Sequence, residues 1–250
     1  MSLKPVMIIQ FSASEGPGHF GDFLAGEHIP FQVLRMDRSD PLPAEIRDCS
    51  GLAMMGGPMS ANDDLPWMPT LLALIRDAVA QRVPVIGHCL GGQLLAKAMG
   101  GEVTDSPHAE IGWVRAWPQH VPQALEWLGT WDELELFEWH YQTFSIPPGA
   151  VHILRSEHCA NQAYVLDDLH IGFQCHIEMQ AHMVREWCSI SPEELKGGAE
   201  ADPAQPMVQS AVEILRDLDV RIATLNRWAE HVYARWIKGL QREGHHHHHH

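Results

Sequence analysis

Apolar and polar positions along this chain fall into short runs that change period from one stretch to the next. Val6 to Phe11, Phe31 to Met36 and Gly51 to Met55 are mostly apolar and end at Gly, Pro, Asp or Ser, which predicts buried strands. Between them the period becomes helical. Phe20 to Ala25 predicts a short helix, and Trp67 to Gln81 a longer one, with Leu71, Leu72, Leu74, Ile75, Ala78 and Val79 on one stripe. Val83, Val85 and Ile86 then form another apolar run, followed by Gly87, His88, Cys89, Leu90 and Gly91. Leu94, Leu95, Ala96 and Ala98 resume the helical spacing. Strand, tight turn and helix is the natural reading of that order. The alternation predicts an α/β fold, a mostly parallel central sheet flanked by helices.

Past Gly101 the pieces shorten. Glu110 to Trp117, Glu133 to Trp139, Val151 to Leu154, Ala163 to Val165 and Ile171 to Cys175 read as strands. Ser191, Pro192 and Glu194 have the spacing of a helix-capping box, and Lys196 to Pro206 reads as a mobile connector. Apolar residues from Met207 to Leu240 recur as in one long amphipathic helix or two, a C-terminal helical extension. Its apolar face is expected to pack on its own domain; a partner surface or a homodimer contact is the alternative. The organisation that follows is a catalytic domain over residues 1–190, a helical extension over 191–242, and a histidine tag over 243–250.

Composition narrows the setting. With 250 residues, 45% hydrophobic and 20% charged, the chain can bury one substantial core. A net charge of -15 argues against nucleic acid or an anionic membrane as a partner. No apolar run reaches membrane-spanning length, and a cytoplasmic location is expected. The five cysteines are scattered and odd in number, which predicts free thiols. No metal-binding motif occurs, so no metal and no cofactor are expected.

The candidate chemistry centres on Cys89. A cysteine lifted on a turn between glycines, at a helix N-terminus, gains thiolate character from the helix dipole. The turn alone fits either a hydrolase whose elbow carries cysteine or a cysteine amidotransferase. A thiol that cleaves an amide needs a base and a group to orient that base, and His176 with Glu178 supplies both. On a strand, residues two apart point to one side, which would bring the carboxylate to the imidazole.

Three segments together carry a family resemblance. Gly87-His88-Cys89-Leu90-Gly91-Gly92-Gln93-Leu94-Leu95-Ala96 resembles the nucleophile motif of class I glutamine amidotransferases. Gly56-Gly57-Pro58-Met59-Ser60 resembles their oxyanion loop, and Gly172-Phe173-Gln174-Cys175-His176-Ile177-Glu178 their His-Pro-Glu segment, with Ile177 in place of proline. Glu110 to Trp113 and the Trp139-His140 segment are similar to stand-alone members that resemble the glutaminase domain of GMP synthase. The order cysteine, histidine, acid also separates the chain from the hydrolase elbow.

That resemblance implies a flavodoxin-like fold and a Cys89, His176, Glu178 triad. It further implies an oxyanion hole from the backbone N–H groups of Gly57 and Leu90, and substrate contacts from Gly56, Gln93 and His140. The implied reaction is hydrolysis of the γ-glutamyl amide of glutamine or a related γ-glutamyl compound through a thioester. Two alternatives stand beside it: a glutaminase subunit feeding ammonia to a separate synthetase subunit, and a non-catalytic binding or regulatory protein. His88, where the family has an aliphatic residue, either packs on the sheet or acts on Cys89 as a cation. Cys175 is expected in the core.

Overall fold

The computed structural model describes residues 3–197 and 200–242; the expected tag at 243–250 lies outside the described residues. One nine-stranded sheet organises the molecule. Its first half is parallel: β2 (Phe31–Arg35), β1 (Val6–Gln10), β3 (Gly51–Met54), β4 (Val85–His88) and β9 (His170–Phe173) lie side by side. Beyond β9 the sheet continues antiparallel through β8 (Ala163–Leu166), β7 (Val151–Ser156), β5 (Val103–Pro118) and β6 (Leu134–Phe144). The parallel arrangement expected for most of the sheet therefore covers five of its nine strands.

Both faces of the parallel half are covered, which is why its strands read as near-continuous apolar runs. Val6 and Ile8 point into one core and Met7 and Ile9 into the other. The first core is closed by α1 (Gly18–Gly26), α4 (Pro122–Leu128), α5 (Ala181–Ile190) and α7 (Leu218–Ile237), the second by α2 (Met68–Ala80) and α3 (Leu90–Ala98). All five cysteines are free and buried, Cys175 in the first core. No helix among the described residues is long and apolar enough to cross a membrane.

Three sequence expectations change. The strands read at Glu110 to Trp117 and Glu133 to Trp139 are halves of longer ones, because β5 and β6 keep pairing past a register shift between Asp105 and Glu110. The capping box read at Ser191 does not form; Pro192–Glu194 is a single 3-10 turn, and the box forms at Ser210 and Glu213, opening α6 (Ala211–Leu215). The same Ser-x-x-Glu spacing fails at the first site because Glu194 is engaged by Tyr141 Oη and by Trp139 Nε1. The described part of the connector is pinned to β5: Ala109 N–H donates to Gln205 Oε1 at 2.8 Å, and His108 Nδ1 lies 3.0 Å from Ala204 O.

The amphipathic tail is two helices, and α7 packs on its own molecule. Leu218, Ile222, Leu225, Trp228, Val232, Tyr233 and Trp236 all lie in the first core. Phe20 of α1 packs edge-on against Tyr233 and Trp236.

Candidate active site

The carboxyl ends of β1, β3, β4 and β9 lie together, with Ile9 opposite Met54, Met54 opposite Gly87, and Gly87 opposite Gly172. The loops that leave them open onto one place, as ligand sites do in such sheets. Cys89 follows β4 at φ 53 and ψ -108, a conformation that costs a non-glycine residue about 1–3 kcal/mol. Its surroundings hold it there. Cys89 N–H donates to Phe173 O at 2.9 Å, Gln93 N–H donates to Cys89 O at 3.0 Å, and Gly91 N–H donates to Met55 O at 3.1 Å. The Sγ accepts from Gln174 Nε2 at 3.5 Å.

β9 ends at Phe173, so His176 and Glu178 stand on the loop after it rather than on the strand. The loop is fixed by His176 N–H donating to Phe137 O at 2.9 Å and His19 N–H donating to Glu178 O at 2.8 Å. His176 Nδ1–H donates to Glu178 Oε2 at 2.9 Å, and Cys89 lies near enough for its charge to act on the ring. With Nδ1 committed to the carboxylate, Nε2 is the nitrogen left for the sulfur.

Burial by itself lowers the His176 pKa, but the charges of Glu178 and Cys89 and the hydrogen bonds to both outweigh it and hold it well above 6.5. Burial raises Glu178, and the His176 charge and hydrogen bond overcome that, leaving it below 4.5. A raised histidine contributes stability in full below 6.5 and loses it as pH rises through its folded value. A lowered carboxylate contributes in full above 4.5 and loses it as pH falls. The pair therefore contributes most between pH 4.5 and 6.5. Glu178→Gln is expected to lower the melting temperature most in that window, with the gap narrowing toward alkaline pH; a gap independent of pH would mean the two groups are not ion-paired.

A cavity of about 460 Å³ opens beside Cys89, lined by Gly57, Leu90, Gln93 and His140 among others. Neither Gly57 N–H nor Leu90 N–H is committed to a backbone carbonyl among the described residues, which leaves both free to donate into the cavity. Gln93 Nε2 donates to Gln174 Oε1 at 3.1 Å and reaches Gln142 O at 3.3 Å. Gly56 stands at the edge: a Cβ there would lie 2.6 Å from His176 Cε1 and 2.8 Å from Glu15 Oε1, so only glycine leaves room for both. His140 lines the wall, but its ring nitrogens face Gln142 O at 2.8 Å and Glu110 Oε1 at 2.6 Å. Both ring nitrogens are thereby engaged inside the protein, one by a backbone carbonyl and one by the Glu110 side chain.

Glu110 completes a closed network. Its Oε1 also accepts from Gln162 Nε2 at 2.8 Å, and its Oε2 from Ser156 Oγ at 2.6 Å. Donor atoms of Glu110, His140 and Cys159 lie within 4.8 Å of one another, yet both Glu110 oxygens are already satisfied by protein donors, so the cluster is read as a hydrogen-bond network. Glu138 sits against it with neither carboxylate oxygen hydrogen-bonded among the described residues; burial, then the Glu110 charge, hold it well above 4.5. That environment favours the uncharged acid.

His88 lies under the elbow, fully buried. Its Nδ1–H donates to Met54 O at 2.9 Å, and its Nε2 accepts from Tyr233 Oη at 2.9 Å. Burial lowers its pKa, so it is a neutral ring tied to α7, and the reading of His88 as a cation acting on Cys89 does not hold. Sequence reasoning passed over Glu15, Glu110, Glu138, Gln174 and Tyr233 as site neighbours. For Glu110 and Glu138 a signal was present: each is an acid flanked by apolar residues in a strand. For Tyr233 there was none, because 145 positions separate it from His88.

A profile of the family Glutamine amidotransferase class-I matches residues 24–184. The chain belongs to that family. As a class I glutamine amidotransferase, its chemistry is of the glutamine-amide hydrolysis or transfer kind. The glutamine amidotransferase-like protein YfeJ of Salmonella typhimurium is 30% identical over 174 residues, 64% of this chain and 70% of YfeJ. A glutamine-hydrolyzing GMP synthase subunit of Sulfurisphaera tokodaii is 33% identical over 141 residues, 55% of this chain and 72% of that one. Among solved structures, a glutamine amidotransferase of Thermotoga maritima superposes with a TM-score of 0.82 at 24% identity, covering 95% of this chain and all of that one. At that identity the likeness shows the fold alone.

Proposed function

We propose that the protein hydrolyses the γ-glutamyl amide of glutamine or a related γ-glutamyl compound, with Cys89 as nucleophile. The observation that carries this reading is a strained, pocket-lining cysteine near a histidine whose Nδ1 is held by a buried carboxylate. Cys89 Sγ attacks the amide carbon after its proton passes to His176 Nε2. The C–N bond then breaks as His176 returns the proton to nitrogen, and the amine or ammonia leaves. Water, deprotonated by His176, attacks the γ-glutamyl thioester and releases glutamate and the thiol.

Glu178 keeps Nδ1 protonated and Nε2 turned to the sulfur, and stabilises the imidazolium. The N–H groups of Gly57 and Leu90 receive the oxyanion, donors of a kind worth about 3–4 kcal/mol each. Gln93 and the backbone beside His140 hold the glutamyl end, and Gly56 keeps the wall clear next to His176.

Purified protein is expected to release glutamate from glutamine or a γ-glutamyl amide unaided, with a γ-glutamyl adduct on Cys89 seen by mass spectrometry. A second reading rests on the likeness to the glutamine-hydrolyzing part of GMP synthase: a glutaminase that hands ammonia to a synthetase partner. It predicts little turnover alone and stimulation when a partner is added.

A further inference from the structure

The wall of the cavity is not the same on its two sides of Cys89. Gln93, His140 and Gln142 form one side, joined by the bond from Gln93 Nε2 to Gln142 O. Ser12, Ser14, Glu15 and Trp187 also line the cavity, and of these Glu15 and Trp187 stand against His176. Glu15 Oε1 and His176 Cε1 converge on Gly56, within 3 Å of the place its Cβ would occupy. The Trp187 ring stands edge-on to the His176 ring at 5.0 Å, and its Nε1–H donates to Ser14 O at 2.8 Å.

A base that protonates a departing nitrogen has to face it, so the leaving group exits past His176 and meets these residues. Glu15 is built to stay there. Its Oε2 accepts from Ser12 Oγ at 2.9 Å, which leaves Oε1 turned toward the exit. The residues lining the cavity include two carboxylates, Glu15 and Glu194, and no lysine or arginine. Glu194 already accepts from Trp139 Nε1 and Tyr141 Oη. A leaving amine with a positive charge finds an acceptor and an indole face here; one with a carboxylate finds like charge.

We propose that Glu15 determines the leaving group, its Oε1 accepting a hydrogen bond from a cationic amine, so that the preferred substrates are γ-glutamyl amides of diamines. This rests on the γ-glutamyl hydrolysis proposed above and names the substrate class of that site. The reaction keeps its balance: the amide C–N bond breaks, His176 supplies the proton to that nitrogen, and the distal ammonium paired with Glu15 leaves unchanged. Burial raises the Glu15 pKa, against the opposing charge of His176, and a cation held at Oε1 favours the charged carboxylate.

The test is a matched pair of substrates of equal chain length, γ-glutamyl-1,4-diaminobutane and γ-glutamyl-4-aminobutyrate, which differ in the sign of the distal charge. Wild-type kcat/KM is expected to favour the diamine by about tenfold or more, and that ratio to shrink as salt is added. Glu15→Gln is expected to cut the ratio at least about fivefold, and Glu15→Asp to retain part of it. A ratio near one in the wild type, or one unmoved by salt and by both substitutions while glutamate release persists, overturns the role of Glu15 and leaves the hydrolysis standing. Absence of glutamate release and of a Cys89 adduct with either compound and with glutamine overturns the hydrolysis itself, and this inference with it. The salt series needs only the wild-type chain, so a variant that fails to fold does not spare the proposal.

Discussion

Cys89→Ala is expected to lower kcat/KM for γ-glutamyl hydrolysis by about 10⁴-fold or more and to abolish the covalent adduct. The alanine keeps the backbone and removes only the sulfur, so the loss reports the nucleophile rather than the fold. Stability provides the internal control. At φ 53 both cysteine and alanine are strained, whereas glycine is not. Cys89→Gly should therefore be the more stable of the two inactive variants, by about 1 kcal/mol or more in denaturant unfolding. Equal stability would mean that the elbow carries no strain, and retained hydrolysis in either variant would remove Cys89 from the reaction.

The second large effect is on the fold. A Cβ on Gly92 would overlap Phe173 O, a backbone atom that also accepts the Cys89 N–H at 2.9 Å. No side chain can rotate away from that clash. Either α3 retreats from β9 or the carbonyl turns, and each movement breaks the bond that holds Cys89. Gly92→Ala is expected to cost about 4 kcal/mol or more, lowering the melting temperature by roughly 10 °C for a chain of this size. Gly26, at the end of α1, has nothing within 4 Å of the same atom, and Gly26→Ala should change the melting temperature by no more than about a degree or two either way. A Gly92→Ala protein that melts with the wild type would show that the helix and strand are not packed backbone to backbone.

These two residues also mark how far local pattern reaches. The strand, turn and helix around Cys89 were readable because apolar period and glycine spacing are properties of neighbours in the chain. The pairing of His176 with Glu178 was readable as a spacing of two. Its geometry was not, since the strand stops at Phe173 and long-range bonds from Phe137 O and His19 N–H shape the loop. The capping box shows the same limit. Ser191 and Ser210 each have a glutamate three residues on, and only contact with Trp139 and Tyr141 decided which would cap a helix.

What lay in the sequence by itself was the α/β class, the strand, turn and helix that carry Cys89, and the helical character of the tail. Each depends on periods and turns that a few consecutive residues determine. Tertiary structure alone decided that the sheet turns antiparallel beyond β9, that His88 is bonded to Tyr233, that His140, Glu110 and Glu138 lie buried together behind the cavity, and that Glu15 stands beside His176. Those outcomes follow from burial and from partners far apart in the chain: the charge of a group and the direction of a strand are settled by what surrounds them in space.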